Sequence, residues 1–173
     1  MPNISFKIMS FLFRVMDLFY SPEKRIKKFK IKSGEVVIDY GCGPGRYTKG
    51  LSYLVGKKGK VYAVDVHKLA IESVKEKIRR YELKNVNPVL AKGYSSNIQS
   101  HIADKIIALD MFHMIEKPQE FFKEIYRLIK KKGVLIIDDG HQSRKETKNK
   151  IIDSGFWKIK KEMDGHLICI PIK

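Results

Sequence analysis

Val36 to Thr48 reads VVIDYGCGPGRYT, a β-branched run that meets an acid, Asp39, and then breaks into glycine at every second position, Gly41, Gly43 and Gly45. Glycines so spaced let a backbone turn sharply and approach a ligand closely, while the following helix turns free N–H groups toward a negative group. The segment therefore predicts a buried strand, a ligand loop and a helix in succession. The rest of the chain repeats the theme. Val61 to Asp65, Val86 to Ala91, Lys105 to Leu109 and Val134 to Asp138 are short Val, Ile and Leu runs, and Arg46 to Leu54, Leu69 to Tyr81 and Pro118 to Ile129 have helical spacing. Near-continuous apolar strands alternating with helices read as a parallel sheet covered on both faces. The expected fold is α/β, a Rossmann-like, doubly wound, mostly parallel sheet with helices on both faces and ligands at the carboxyl ends of its strands.

The end of the chain breaks the alternation. Phe156 to Met163 and His166 to Ile172 are strand-like, Asp164 and Gly165 between them signal a tight turn, and Ser143 to Ser154 predicts the preceding helix. A C-terminal antiparallel hairpin is thus expected at one sheet edge. At the other end, residues 1–20 predict an amphipathic helix. Ile8, Phe11, Leu12, Val15, Leu18 and Phe19 share one face, and Lys7, Ser10, Arg14 and Asp17 the other. Ser21 and Pro22 cap and open a second helix ending near Phe29. Packing on its own domain, a lid over substrate, a dimer contact and a membrane-surface helix are all open to the first helix. We divide the chain into residues 1–33, N-terminal helices and a candidate lid, and 34–173, a single domain; 173 residues suit one core.

Two cysteines, Cys42 and Cys169, suit neither a disulfide framework nor a four-ligand zinc site, which fits a reducing compartment. The apolar run Ile8 to Phe13, bounded by Lys7 and Arg14, is shorter than a spanning helix or a signal-peptide core, so no transmembrane segment and a cytoplasmic location are expected. The net charge of +16 invites a nucleic-acid partner, yet its 28 lysines and 7 arginines lie along the whole chain, which reads as solvated faces.

A dinucleotide loop would need a third glycine where Arg46 stands. Asp65, ending the next strand, is placed to accept both hydroxyls of a ribose. With the acid, one residue and Gly-x-Gly-x-Gly in place, the chain resembles the class I S-adenosylmethionine-dependent methyltransferases of the type 11 kind, from about Ser33 onward. The resemblance implies S-adenosylmethionine as cofactor. Asp39, Gly41, Cys42, Gly43 and Gly45 would hold its methionine part, and Asp65 with Val66 its ribose. ADKIIALDMFHMI (Ala103 to Ile115) looks like the fourth motif of the family, with Asp110 beside the reactive end of the cofactor. Many members carry an acid for adenine after the third strand. Lys92 stands there, leaving Gly93 and Tyr94 to offer an N–H and an aromatic wall.

Methyl transfer from a sulfonium is an in-line displacement, so alignment of acceptor and methyl group is the main task, and a base helps a hydroxyl acceptor. The candidates project from the fourth and fifth strands: His113, His141 and Asp139 as the catalytic set, with Asp110 and Asp138 beside them. These acids also resemble, in placement, the oxygen ligands of metal-dependent catechol-type O-methyltransferases, a reading that would put magnesium where the catalytic set assigns no metal. The favoured function is methyl transfer to a small-molecule acceptor. An RNA or protein methyltransferase, and a cofactor-binding module without its own catalysis, are the alternatives. Oligomeric state is left open. In calorimetry S-adenosylmethionine or its demethylated product should bind and NAD should not; tight binding of NAD alone would overturn the cofactor reading.

Overall fold

The computed structural model describes residues 3–19 and 21–172. Strands β1 (Val36–Tyr40), β2 (Lys60–Asp65), β3 (Val86–Leu90), β4 (Ala103–Ala108), β5 (Ile129–Ile137), β6 (Trp157–Met163) and β7 (His166–Pro171) form one sheet in the order β3-β2-β1-β4-β5-β7-β6. The first five are parallel, and β7 runs antiparallel to both β5 and β6. Helices are α1 (Asn3–Phe19), α2 (Pro22–Lys27), α3 (Thr48–Val55), α4 (Lys68–Tyr81), α5 (Pro118–Leu128) and α6 (Arg144–Asp153), with a 3-10 turn over Phe112–Met114. This is the expected Rossmann-like sheet with its antiparallel hairpin, turned at Asp164 and Gly165, where Gly165 has φ +78°.

The strand period of two sends successive side chains to opposite faces. Ile38 and Ile106 pack with Phe121, Phe122 and Ile125 of α5 on one face. Val37, Val61 and Ala63 pack with Leu51 of α3 and Val74 of α4 on the other. Some boundaries differ from expectation. The chain stays in a turn through Arg46 and Tyr47, so α3 starts at Thr48. β5 begins at Ile129, pairing with Ala103 before its register shifts at Lys105, because the Lys130 to Lys132 run offers no loop-forming residue ahead of Gly133.

Of the two faces of α1, the apolar stripe is the one that turns outward. Ile8, Phe11, Leu12 and Val15 are exposed, while Phe6 is buried against the domain. From the expected polar face, Asp17 pairs with Arg46 at 2.5 Å and Ser10 has a buried hydroxyl. Inward placement follows these specific partners rather than the wider apolar stripe. The side chains of Lys7, Arg14, Leu18 and Phe19 lie outside the described residues. Ser21 caps α2 by accepting from the Lys24 N–H, and Ile26 of α2 reaches the space that a Cβ on Gly50 would fill. That close approach fixes α2 beside the strand ends.

The loop after β3 is pinned to α5 by one buried acid. Glu124 Oε1 accepts from the Ser96 N–H at 2.9 Å and from its hydroxyl at 2.8 Å, and Arg127 clasps the same carboxylate at 2.7 and 2.9 Å. Burial alone would raise Glu124, but Arg127 and the Ser96 donors outweigh it and hold the carboxyl below its ordinary range. Removing it strands these donors, so Glu124→Ala should lower stability by roughly 1–3 kcal/mol in denaturant titrations. A depressed acid stabilises fully above its unfolded value near 4.5 and loses that contribution as pH falls through the folded value. The gap between wild type and Glu124→Gln should therefore close in acid.

Candidate active site

Both Gly41 (φ +78°) and Gly43 (φ +52°) lie in left-handed backbone, and a Cβ on Gly41 would strike the Met111 side chain at 2.7 Å. The loop is tied down from three directions. Gly41 N and Cys42 N donate to the Val64 carbonyl at 2.8 and 3.0 Å. Asp65 Oδ2 accepts from Gly43 N at 2.8 Å while Oδ1 accepts from His67 N at 2.8 Å. From α4, Ser73 donates to the Pro44 carbonyl and Lys77 to the Gly45 carbonyl. Asp65 thus holds the loop with one lone pair on each oxygen and keeps others for a ligand. Burial raises its pKa, against those same N–H donors.

A cavity of about 430 Å³ opens over this loop. Gly41, Cys42, Gly43, Asp65, Val66, Gly93, Tyr94 and Asp110 line it, so most of the expected cofactor residues are brought together. Asp39 and Gly45 stand behind the wall. Sequence reasoning missed Phe6, His67, Met111, Met114 and Glu116, which also line it. The Phe6 ring stacks on His67 with centroids 4.6 Å apart, a contact no local spacing announces. Lys92 is exposed and exchanges backbone hydrogen bonds with Ser95; besides Asp65 and Asp110, the cavity is lined by one further acid, Glu116. Cys42 is buried with its thiol pushed well up by that burial, which suits a small filler rather than a nucleophile.

Asp39 tests the fit of the expected cofactor. It is 2% exposed and its Oδ2 has no hydrogen-bond partner. Burial, then Asp65 and Asp110, push its pKa up to about 8. An unpartnered buried acid behind a glycine cradle suits a cationic ligand, and S-adenosylmethionine carries both an ammonium and a sulfonium.

A second cavity, of about 320 Å³, adjoins the first at Arg46 and Asp110. The catalytic candidates His113, His141 and Asp139 all line it, with Arg25, Asp138 and Gly140. The two imidazoles meet edge to face with centroids 4.6 Å apart. His113 Nδ1 is buried without a partner against Gly140, where a Cβ would collide with it. Burial and the neighbouring His141 hold His113 below the ordinary histidine range. Asp139 is taken up by Arg144 Nε at 2.7 and 2.9 Å.

Between the cavities, Asp110 sits at φ +61° and gathers three donors: Arg25 at 2.7 Å, Arg46 at 3.0 Å and the Tyr47 hydroxyl at 2.7 Å. Burial would raise Asp110, but Arg25, Tyr47 and Arg46 outweigh it and hold it low. Arg25 also binds Asp138 at 2.6 Å, and Asp138 accepts from the Asp110 N–H. Burial and the adjacent Asp110 raise Asp138 despite those donors. Among the described residues no group of three His, Cys, Asp or Glu side chains converges to hold a metal ion.

Residues 31–166 match the family described as a methyltransferase domain. The chain belongs to this family, the class I S-adenosylmethionine-dependent methyltransferases, and its cofactor is S-adenosylmethionine. It is 34% identical over 113 residues to the probable cobalt-precorrin-6B C(15)-methyltransferase (decarboxylating) of Saccharolobus solfataricus, covering 65% of this chain and 56% of that one. The chain thus spans about half the length of that relative. Among solved structures, a SAM-dependent methyltransferase from Aquifex aeolicus superposes with TM-score 0.82 at 27% identity, covering 88% of this chain and 90% of the other. Coclaurine N-methyltransferase bound to N-methylheliamine and SAH superposes with TM-score 0.60 at 26% identity, over 68% of this chain and 33% of that one.

A cationic ligand brought beside Asp39 would favour its ionised form, so binding below about pH 8 is expected to expel a proton. Calorimetry of S-adenosylhomocysteine at neutral pH, in buffers of different ionisation enthalpy, should report proton release, with affinity rising toward that pH. Asp39→Asn should remove the buffer dependence. Binding of the wild type without proton release would mean that Asp39 does not face the ligand ammonium.

Proposed function

We propose that this chain transfers a methyl group from S-adenosylmethionine to a small-molecule acceptor held in the second cavity. The observation that carries the reading is the meeting of two cavities at Asp110 and Arg46, one over the glycine loop and one lined by histidines. The second cavity has the size of a small-molecule pocket. The Saccharolobus solfataricus relative is named for a small-molecule acceptor as well. A cytoplasmic setting suits both cysteines, which are free and buried.

When bound, S-adenosylmethionine supplies an electrophilic methyl group. Asp39 and the Gly41–Gly45 loop hold its methionine end, Asp65 and Val66 its ribose, and Gly93 and Tyr94 the base, with Asp110 at the reactive end. Alignment of the acceptor can contribute up to about 7–11 kcal/mol. His113 is the base. It is neutral at pH 7, and with Nδ1 shut in against Gly140, Nε2 is left to take a proton from an acceptor hydroxyl or amine. His141 confines that ring, Asp110 favours the imidazolium that forms, and Asp139, held by Arg144, lines the same cavity. Residues 1–33 serve as the cover, with Phe6 on the cofactor side and Arg25 on the acceptor side.

The charge of +16 favours an RNA acceptor as the second reading. Transfer of labelled methyl to fractionated small-molecule and RNA extracts separates the two, and label found only in RNA would displace the first. With a small acceptor in hand, turnover should rise with pH to a midpoint below about 6.5, because neutral His113 is the active form. His113→Ala should lower kcat by about a hundredfold to ten-thousandfold with cofactor affinity unchanged. Asp110, Asp138 and Asp139 are already paired with Arg25, Arg46 and Arg144, so activity should survive a chelator. Loss of activity in chelator and its return with magnesium would instead make these acids metal ligands.

A further inference from the structure

Ile4, Ile8, Phe11, Leu12 and Val15 form one stripe along α1 and all five are exposed, Ile4 by 73% and Phe11 by 65%. A contiguous apolar face of this kind marks an interaction surface. The helix cannot simply roll over to bury it. Its other side is committed to the domain through Phe6 on His67 and Asp17 on Arg46. Among the described residues no helix is long and apolar enough to cross a membrane, so the stripe is no spanning segment.

Charge decides what covers it. Residues 1–32 hold eight Lys and Arg against two acids; Asp17 is paired with Arg46, and Arg25 with Asp110 and Asp138. Directly after α1, Lys24, Lys27, Lys28, Lys30 and Lys32 are all exposed. Two copies joined through α1 would crowd these basic segments together in a chain that already carries +16. An anionic surface complements them. Amphipathic helices with basic neighbours bind such surfaces by apolar insertion plus attraction to lipid phosphates. We propose that α1 docks in the plane of an anionic lipid surface, with its stripe at the boundary of headgroups and acyl chains and the lysines of residues 24–32 facing the phosphates. Phe6, on the opposite side of the same helix, then brings the cofactor cavity to about one helix diameter, ~10 Å, from the headgroups.

Flotation of the full chain with vesicles of phosphatidylcholine, and with vesicles of equal parts phosphatidylcholine and phosphatidylglycerol, tests this. The chain should float with the mixed vesicles only. Phe11→Asp combined with Leu12→Asp should weaken that binding at least tenfold while leaving S-adenosylhomocysteine affinity unchanged. Because Trp157 is buried, a Phe11→Trp reporter should show a blue shift on the mixed vesicles. Three results would overturn the proposal: no flotation with mixed vesicles, equal flotation of the doubly substituted chain, which assigns binding to general surface charge, or a dimer in sedimentation equilibrium that the double substitution abolishes.

Discussion

The strand order reverses between β1 and β4, and the placement of the site follows from that reversal. Crossovers carry the chain from β1 toward β2 and β3 in one direction and from β4 toward β5 in the other. The carboxyl ends of the two central strands are therefore left with a crevice that neither connection covers. Gly41 to Gly45 leave β1 at this edge, Asp65 to His67 leave β2, Gly93 and Tyr94 follow β3, and Asp110 to Glu116 follow β4. Asp138 to His141 follow β5 and line the second cavity. Residues from Gly41 to His141 meet because β1 to β5 are parallel and each delivers its ending to the same side.

A chain with net charge +16 fills this edge with acids. Asp39, Asp65, Asp110, Asp138 and Asp139 crowd the strand ends, and the fold satisfies them unequally. Asp65 takes backbone donors, Asp110 and Asp138 share Arg25, Asp139 takes Arg144, and Asp39 Oδ2 is left without a partner. Net charge is therefore a poor guide to the field inside the site. Most of the lysines lie on solvated faces, where salt screens them. The buried carboxylates act at short range in a less polar medium, and theirs is the field a bound ligand meets.

The fold was legible because its signals are local: β-branched runs, glycine after the first strand, Asp164–Gly165 at the hairpin. Most of the glycine loop and Asp65 could be read in the same way, as each sits at the end of a strand whose position is itself readable. The residues that escaped notice are those that come from elsewhere. Arg25 lies 85 residues from Asp110, and only the docking of α2, set by Ile26 over Gly50, brings them together. Ser73 and Lys77 look like ordinary polar positions on a helix until α4 packs beside the loop whose carbonyls they bind. Glu116 follows the fourth motif without any spacing that marks it. Periodicity identified the stripe of α1 but not which way it faces, since a hydrophobic period is unchanged when the helix is turned over.

Arg46 joins these threads. A dinucleotide loop has glycine there, for close packing of helix on strand; in this chain the position carries the longest charged side chain available. Its guanidinium is nearly buried and bridges Asp17 of α1 to Asp110 at the junction of the two cavities. The departure that separates this loop from a dinucleotide fingerprint is thus the connection that ties α1 to the strand ends. Lifting α1 from the domain would strip Asp17 from Arg46, whose guanidinium also reaches Asp110 beside Arg25 and Tyr47. The position of the helix and the electrostatics around Asp110 are therefore coupled through one side chain.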